Sequence, residues 1–272
     1  MVSISTLLLL GASSAQSQEY HQVNLVSDIP GIALHTDPHL ANPWGFAFTE
    51  TSPVWIASNG TGTATLYLGD GTSAPSPAAP LVLTIPGAAS GSPSAPTGLI
   101  VNASSGFAVS ANGKSGRSVF IFATEDCTIS GWSPAVNLNN AILKVNNSTS
   151  GAMYKGLASG VSDGKDYIFA TNFHEGAGEV YDSSFQFVKS FTDTSLPLGY
   201  APFGIRNISG NLYSPSRCRT MKRKTTSQVP VTVSSTCSVL TAFGFRASLP
   251  KADLHSACFR RGADLSLAQL AG

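Results

Sequence analysis

Two sets of side chains in this sequence could do chemistry. The first is His35, Asp37 and His39, an H-x-D-x-H array. Alternate residues of a strand share one face, and imidazole nitrogens with a carboxylate are a set that transition metals accept. Pro38 removes a backbone donor from the middle of the array. The segment is therefore expected to be a loop whose polar groups make closing contacts rather than hold a metal. The second set is Asn59, Glu125 and Asn172, each just past a similar apolar run. Their oxygens could begin the six to eight that Ca²⁺ requires, and His174 nearby could act as a general base. Turn capping through side-chain bonds to the backbone competes for the same residues. No catalytic residue is assigned and no cofactor is established; Ca²⁺ is the ion such an oxygen set would accept.

Other chemistry is absent from the pattern. G-x-S-x-G, H-E-x-x-H, a P-loop and C-x-x-C do not occur, which removes the common hydrolase, zinc-protease, nucleotide and redox signatures. Only 11% of the 272 residues are charged, against about 25% in an average globular chain, so Ser, Thr, Asn and Gly must cover the surface. The net charge of +1 conceals a division. Residues 1–213 carry seven Lys/Arg against thirteen Asp/Glu, and residues 214–272 carry nine against two. A basic run such as Lys222-Arg-Lys224 suits nucleic acid when it is a genuine tail. Cys127 is the lone cysteine before residue 214, so no disulfide is expected in that stretch.

These residues must be positioned by strands. Short runs rich in Val, Ile, Phe and Tyr, such as Val54–Ala57, Val119–Phe122 and Tyr167–Ala170, alternate with Gly, Pro, Asn and Ser clusters. No long segment has apolar residues at helical spacing, so the chain reads as all-β. Residues 74–80 and 86–96 are Pro- and Ser-rich loops. Four segments share a glycine ahead of apolar residues: Asn42-Pro-Trp-Gly45, Ala95-Pro-Thr-Gly98, Tyr154-Lys-Gly156 and Ala201-Pro-Phe-Gly204. The glycines are 53, 58 and 48 residues apart. That period suits a four-stranded β-propeller blade, with glycine expected to admit a tight backbone turn into each strand. A β-sandwich with coincidental spacing is the competing architecture. Trp44 and Trp132 are expected to pack between blades.

The N-terminus carries an address. Leu7–Leu10 is followed by small residues, with Ser13 and Ala15, or Ala15 and Ser17, suited to a cleavage site. This is a secretory pattern, with residues 1–17 as signal peptide. No run of about 20 apolar residues offers a membrane span. Asn59, Asn102, Asn146, Asn147 and Asn207 head N-x-[ST] sequons, which a eukaryotic secretory route would use.

At Asn24–Asp28, His35-Thr-Asp-Pro38, Asn42-Pro-Trp-Gly45, Phe122-Ala-Thr-Glu125, Ile129-Ser-Gly-Trp132, Tyr154-Lys-Gly-Leu157 and Tyr200-Ala-Pro-Phe203 the chain resembles a family of secreted, functionally unassigned β-propeller-like proteins found mainly in bacteria. The resemblance covers residues 22–213. More distantly it is similar to NHL repeats and TolB-like six-bladed propellers, a class that includes calcium-dependent lactonases and phosphotriesterases. It implies six blades, about four of them in residues 18–213, and a monomer. It also implies an extracellular ligand or protein as partner, with no nucleic acid and no membrane span. The leading function is a binding or scaffold module; the alternative is a metal-dependent lactonase or esterase using Asn59, Glu125 and Asn172.

Past Tyr213 the resemblance stops, and residues 214–272 read as an aberrant basic tail. The family continues with a segment like K-D-D-V-A-G-x-G-N-G-F-V-D-V-F. When codons for Arg223 through Ser238 are read from the third base of each, they can encode K-D-D-V-A-G-A-G-N-G-F-V-D-V-F without interruption. A change of reading frame accounts for the tail without any partner. Resequencing the locus and its transcript across the codons for residues 205–240 is expected to find one inserted or missing base or a misplaced splice junction. An intact frame in both would defeat this reading.

Overall fold

The computed structural model describes residues 21–219 and 237–240. A short parallel pair, β1 (Val26–Ser27) and β2 (His35–Thr36), precedes the first blade. Blade 1 is a four-stranded antiparallel meander of β3 (Pro43–Ala47), β4 (Val54–Ser58), β5 (Thr63–Tyr67) and β6 (Val82–Thr84). Blade 2 begins with β7 (Pro96–Val101), and a hairpin of β8 (Ala108–Ala111) and β9 (Lys114–Arg117) is inserted after it. The blade then continues with β10 (Phe120–Thr124), β11 (Thr128–Trp132) and β12 (Ile142–Asn146). Blade 3 is β13 (Tyr154–Ser162), β14 (Lys165–Asn172), β15 (Ala177–Asp182) and β16 (Phe187–Phe191).

In blade 4 the first strand is broken. β17 (Tyr200–Pro202) and β18 (Arg206–Ile208) lie end to end along β19 (Asn211–Cys218), and β20 (Cys237–Leu240) pairs with the other edge of β19. The sequence boundary at Tyr213 therefore falls inside a strand. Ser214 is buried and its hydroxyl donates to the Gly204 carbonyl at 2.7 Å.

The sheets of blades 2 and 3 are apolar on both faces because each packs between two neighbours. In β10, Phe120 and Phe122 join Trp55, Leu66, Leu83, Leu99 and Trp132 between blades 1 and 2. The intervening Ile121 and Ala123 join Val109, Ile129, Leu157, Ile168 and Tyr181 between blades 2 and 3. Ala158, Phe169, Val180 and Leu212 fill the next interface. This two-sided burial is why strands such as β10 are continuous apolar runs rather than alternating ones. Trp132 packs as expected, its ring 4.7 Å from Trp55, which lies 4.5 Å from Phe120. The all-β propeller architecture follows from these four sheets, packed in succession through their first strands, β3 on β7 and β7 on β13.

The repeated glycines act differently from expectation. None of Gly45, Gly98, Gly156 and Gly204 has a positive φ. They are small because neighbouring first strands touch there. A Cβ on Gly45 would lie 2.9 Å from the Leu99 nitrogen, one on Gly98 2.8 Å from the Leu157 nitrogen, and one on Gly156 2.8 Å from the Ile205 nitrogen. Each glycine thus receives the residue that follows the next blade's glycine. Gly204 is the exception: among the described residues nothing lies nearer than Pro215 at 3.7 Å. Gly98→Ala and Gly156→Ala are expected to lose about 1–3 kcal/mol through overpacking against backbone. Gly204→Ala should stay within about 0.5 kcal/mol. Urea unfolding of the three variants checks this order, and equal losses at all three positions would refute it.

Candidate functional site

The axis of the propeller is reached by irregularities in the first strands. Pairing shifts by one residue at Trp44 in blade 1, at Thr97 in blade 2 and at Lys155 in blade 3. Phe203 occupies the same place in the break between β17 and β18, its N–H donating to the Pro215 carbonyl at 2.8 Å. A β-bulge sets two residues against one and re-aims the extra side chain. Thr97 turns into the fold, where its hydroxyl donates to the Tyr154 carbonyl at 2.8 Å. The other three converge. The Lys155 ammonium lies 5.1 Å from the Trp44 ring and 5.6 Å from the Phe203 ring, and the two rings are 5.6 Å apart.

A second tier follows from the register of the next strands. Pro43 faces Ser58, Pro96 faces Thr124, Tyr154 faces Asn172 and Pro202 faces Ser216. The residues after these, Asn59, Glu125, Phe173 and Arg217, are therefore equivalent. Glu125 forms an ion pair with Lys155. Phe173 meets Phe203 edge-on at 5.5 Å, and Arg217 stands 5.4 Å from the same ring. Asn59 accepts from the Asn42 amide at 3.1 Å, and Asn42 in turn accepts from the Trp44 indole at 3.2 Å. Burial, with the nearby Arg217 cation adding to it, holds the Lys155 ammonium below the usual lysine range. The Lys155 side chain is 11% exposed and Glu125 28%, so the carboxylate is the more exposed of the pair.

The oxygen set expected from the sequence is thus dispersed. Asn59 and Glu125 hold equivalent positions, but the equivalent in blade 3 is Phe173, one residue beyond Asn172. A one-residue slip turns a side chain to the other face, and Asn172 is accordingly buried. Its amide donates to Glu179 at 2.6 Å, while its oxygen accepts from the Met153 and Glu175 N–H groups, both at 3.2 Å. His174 is exposed beside Glu175, at 3.7 Å. In the H-x-D-x-H array, Asp37 Oδ1 accepts from the His39 N–H and lies 2.9 Å from His39 Nδ1, and Oδ2 accepts from the Tyr67 hydroxyl at 2.7 Å. His35 instead lies on β2. Among the described residues no three His, Cys, Asp or Glu side chains are grouped as metal ligands.

A buried network went unread in the sequence. The Tyr154 and Tyr181 hydroxyls both donate to Glu179 Oε2, at 2.8 and 2.5 Å, and the Asn147 amide donates to both hydroxyls at 2.7 and 2.8 Å. Burial pushes both phenols well above the usual tyrosine range, Glu179 adding to it. The Asn102 amide is likewise committed inside the fold, donating to the Gly106 and Ser118 carbonyls. The Asn146 amide also bonds, donating to the Ala88 carbonyl at 2.9 Å. Asn146 is exposed, Asn207 donates to the Ser159 carbonyl at 2.8 Å, and Asn59 is half-buried. Cys127 is buried, and burial raises its thiol above the usual range.

The sheets and their axial cluster define a β-propeller protein. No family model matches the chain. It is 30% identical over 202 residues to uncharacterized protein R648 of Acanthamoeba polyphaga mimivirus, covering 70% of this chain and 46% of that one. It is 28% identical over 198 residues to uncharacterized protein L690 of the same virus, covering 70% and 50%. The chain thus spans about half the length of these curated relatives. Among solved structures, an inactive virginiamycin B lyase from Staphylococcus aureus matches with a TM-score of 0.44 and 11% identity, over 75% of this chain and 57% of that one. A streptogramin B lyase matches with a TM-score of 0.42 and 13% identity, over 65% and 48%.

Asp37 generates a prediction. Burial would raise its carboxyl, but hydrogen bonds from Tyr67 and His39 outweigh that and hold it below the usual range. A depressed folded value stabilises the protein above the unfolded pKa, and that contribution is lost as pH falls through the folded value. Asp37→Asn should therefore cost about 1 kcal/mol, or about 2–4 °C in Tm, at pH 7. The gap from wild type should close in acid, as pH falls through and below the ordinary carboxylate value of 3.8. A gap that stays constant across this range in thermal melts would show that the carboxylate charge is not involved.

Proposed function

We propose that this is a secreted, non-catalytic β-propeller binding module whose ligand sits at the axial mouth formed by Trp44, Lys155, Phe203 and Phe173. The observation that carries this is the convergence of two bulge residues, Trp44 and Lys155, and of Phe203 from the break in blade 4. Strand irregularities that re-aim side chains are costly to the ladder, and here they assemble aromatic faces around a cation. Such a set suits a small anion with a flat apolar body: the rings cover the body, and Lys155 and Arg217 attract the charge. Glu125 is the group the ligand's anion displaces from Lys155. The apolar run Leu7–Leu10 ahead of small residues supports export, and Ca²⁺ has no part in this reading.

We further propose that the reading frame changes after about residue 213 and that the natural protein continues toward six blades. The loss of the repeat, the charge division and the straddling codons support this. The test of the binding role is thermal stabilisation by benzoate, phenyl phosphate and glucuronate, using protein recovered from culture medium and therefore lacking its first 15 or 17 residues. At least one probe should raise Tm at millimolar concentration, and Trp44→Ala and Lys155→Met should each reduce the response at least tenfold in apparent affinity. No response from wild type, or equal responses from all three proteins, would overturn the proposal.

A further inference from the structure

Lys155 stands apart from the other lysines. Among the described residues Lys114, Lys144, Lys165 and Lys189 are exposed. The Lys155 side chain is 11% exposed, with its ammonium beside the Trp44 and Phe203 rings and ion-paired with Glu125. Both partners are fixed by backbone. The bulge in β13 aims Lys155, and the Glu125 N–H donates to the Ala95 carbonyl at 2.8 Å. Burial disfavours the charged form of an amine, and it holds the Lys155 ammonium below the usual lysine range, with Arg217 adding to it. Glu125 works in both directions. At rest it pairs with the ammonium, and it is also the base in contact that can take the proton. A desolvated lysine beside a general base is the arrangement that makes an amine a nucleophile toward carbonyl carbon.

We propose that Lys155 captures aromatic aldehydes at the axial mouth as a covalent imine. This rests on the mouth being a site for ligands with a flat apolar body. The Trp44, Phe203 and Phe173 rings select that body. An aldehyde carbon, which bears one substituent, reaches an amine this enclosed more readily than a ketone carbon does. The ammonium passes one proton to the Glu125 carboxylate, and the freed lone pair attacks the carbonyl carbon. A C–N bond forms, the carbonyl π pair moves to oxygen, and a proton moves from nitrogen to that oxygen. Glu125 then returns its proton to the hydroxyl, the C–O bond breaks, and water leaves as C=N forms. The products are a protonated imine and a molecule of water, with Glu125 again a carboxylate paired with the cation. The aromatic faces suit that cation and shield it from the water that would hydrolyse it.

Trapping with cyanoborohydride tests this on the full chain. With equimolar 4-carboxybenzaldehyde, peptide mapping should place the carboxybenzyl group on Lys155 about tenfold faster than on the exposed Lys114, Lys144, Lys165 or Lys189. Lys155→Arg, which keeps the charge, should lose the fast adduct and keep the slow ones. Glu125→Gln should slow the fast adduct about tenfold or more through loss of the proton carrier. Benzoate and phenyl phosphate, which have no aldehyde, report the mouth separately through their effect on Tm. Stabilisation by either, with no preference of the aldehyde for Lys155, overturns the imine and leaves the binding site standing. Loss of the adduct together with every Tm response overturns both. Adducts spread evenly over all five lysines, or a fast Lys155 adduct that Glu125→Gln leaves unchanged, also overturn the proposal.

Discussion

Adjacent first strands of this propeller come into backbone contact where a glycine of one blade meets Leu99, Leu157 or Ile205 of the next. The separation of the blades is set there, because a Cβ at Gly98 would collide with the Cβ and nitrogen of Leu157 and one at Gly156 with the nitrogen of Ile205, atoms that move only with the backbone. Everything outward of that contact inherits the spacing. The cores between blades hold Trp55 against Phe120 and Trp132 in one interface and Tyr154, Ile168 and Ile121 in the next. Large side chains can fill these wedges because the strands nearest the axis are drawn tightly together.

The same place in each blade yields the axial site. The residue immediately before the glycine is the bulged one. Close packing on one side of the glycine and re-aiming of its predecessor are thus parts of a single local arrangement. Trp44, Lys155 and Phe203 are directed to the axis by it, and Thr97 is turned instead into a hydrogen bond between blades 2 and 3. The tier above is built from residues after the second strands, and its members answer the first tier directly: Glu125 the ammonium, Phe173 and Arg217 the Phe203 ring, and Asn59 the indole through Asn42. Other polar groups are committed elsewhere in the fold. Asn172 organises Glu179 and two backbone N–H groups, and Asp37 fastens the segment before blade 1 to Tyr67.

Much of this could be read before any coordinates. The glycine spacing and the Val-, Ile- and Phe-rich runs indicated blades, and Trp132 was correctly expected to pack between them. The reason for the glycines was not readable, since a turn and a close approach of strands ask for the same residue. The position after Asn172 was missed because Ala-Thr-Asn in blade 3 aligns by eye with Ala-Ser-Asn and Ala-Thr-Glu, whereas the pairing of Tyr154 with Asn172 shifts blade 3 by one residue. Tyr154, Tyr181, Glu179 and Asn147 carry no mutual spacing in the chain, so their network had no signature to find.

By itself the sequence determined the class of structure, the repeat and its period, and the absence of familiar catalytic motifs. These are local properties, written in residue types and in distances along the chain. Tertiary structure alone decided which side chains meet. In strands a shift of one residue exchanges the two faces, and a bulge makes that shift without changing composition. The position of the Lys155 ammonium beside the Trp44 and Phe203 rings, and of Asn172 as a buried hydrogen-bonding group, is therefore set only when neighbouring blades are in place.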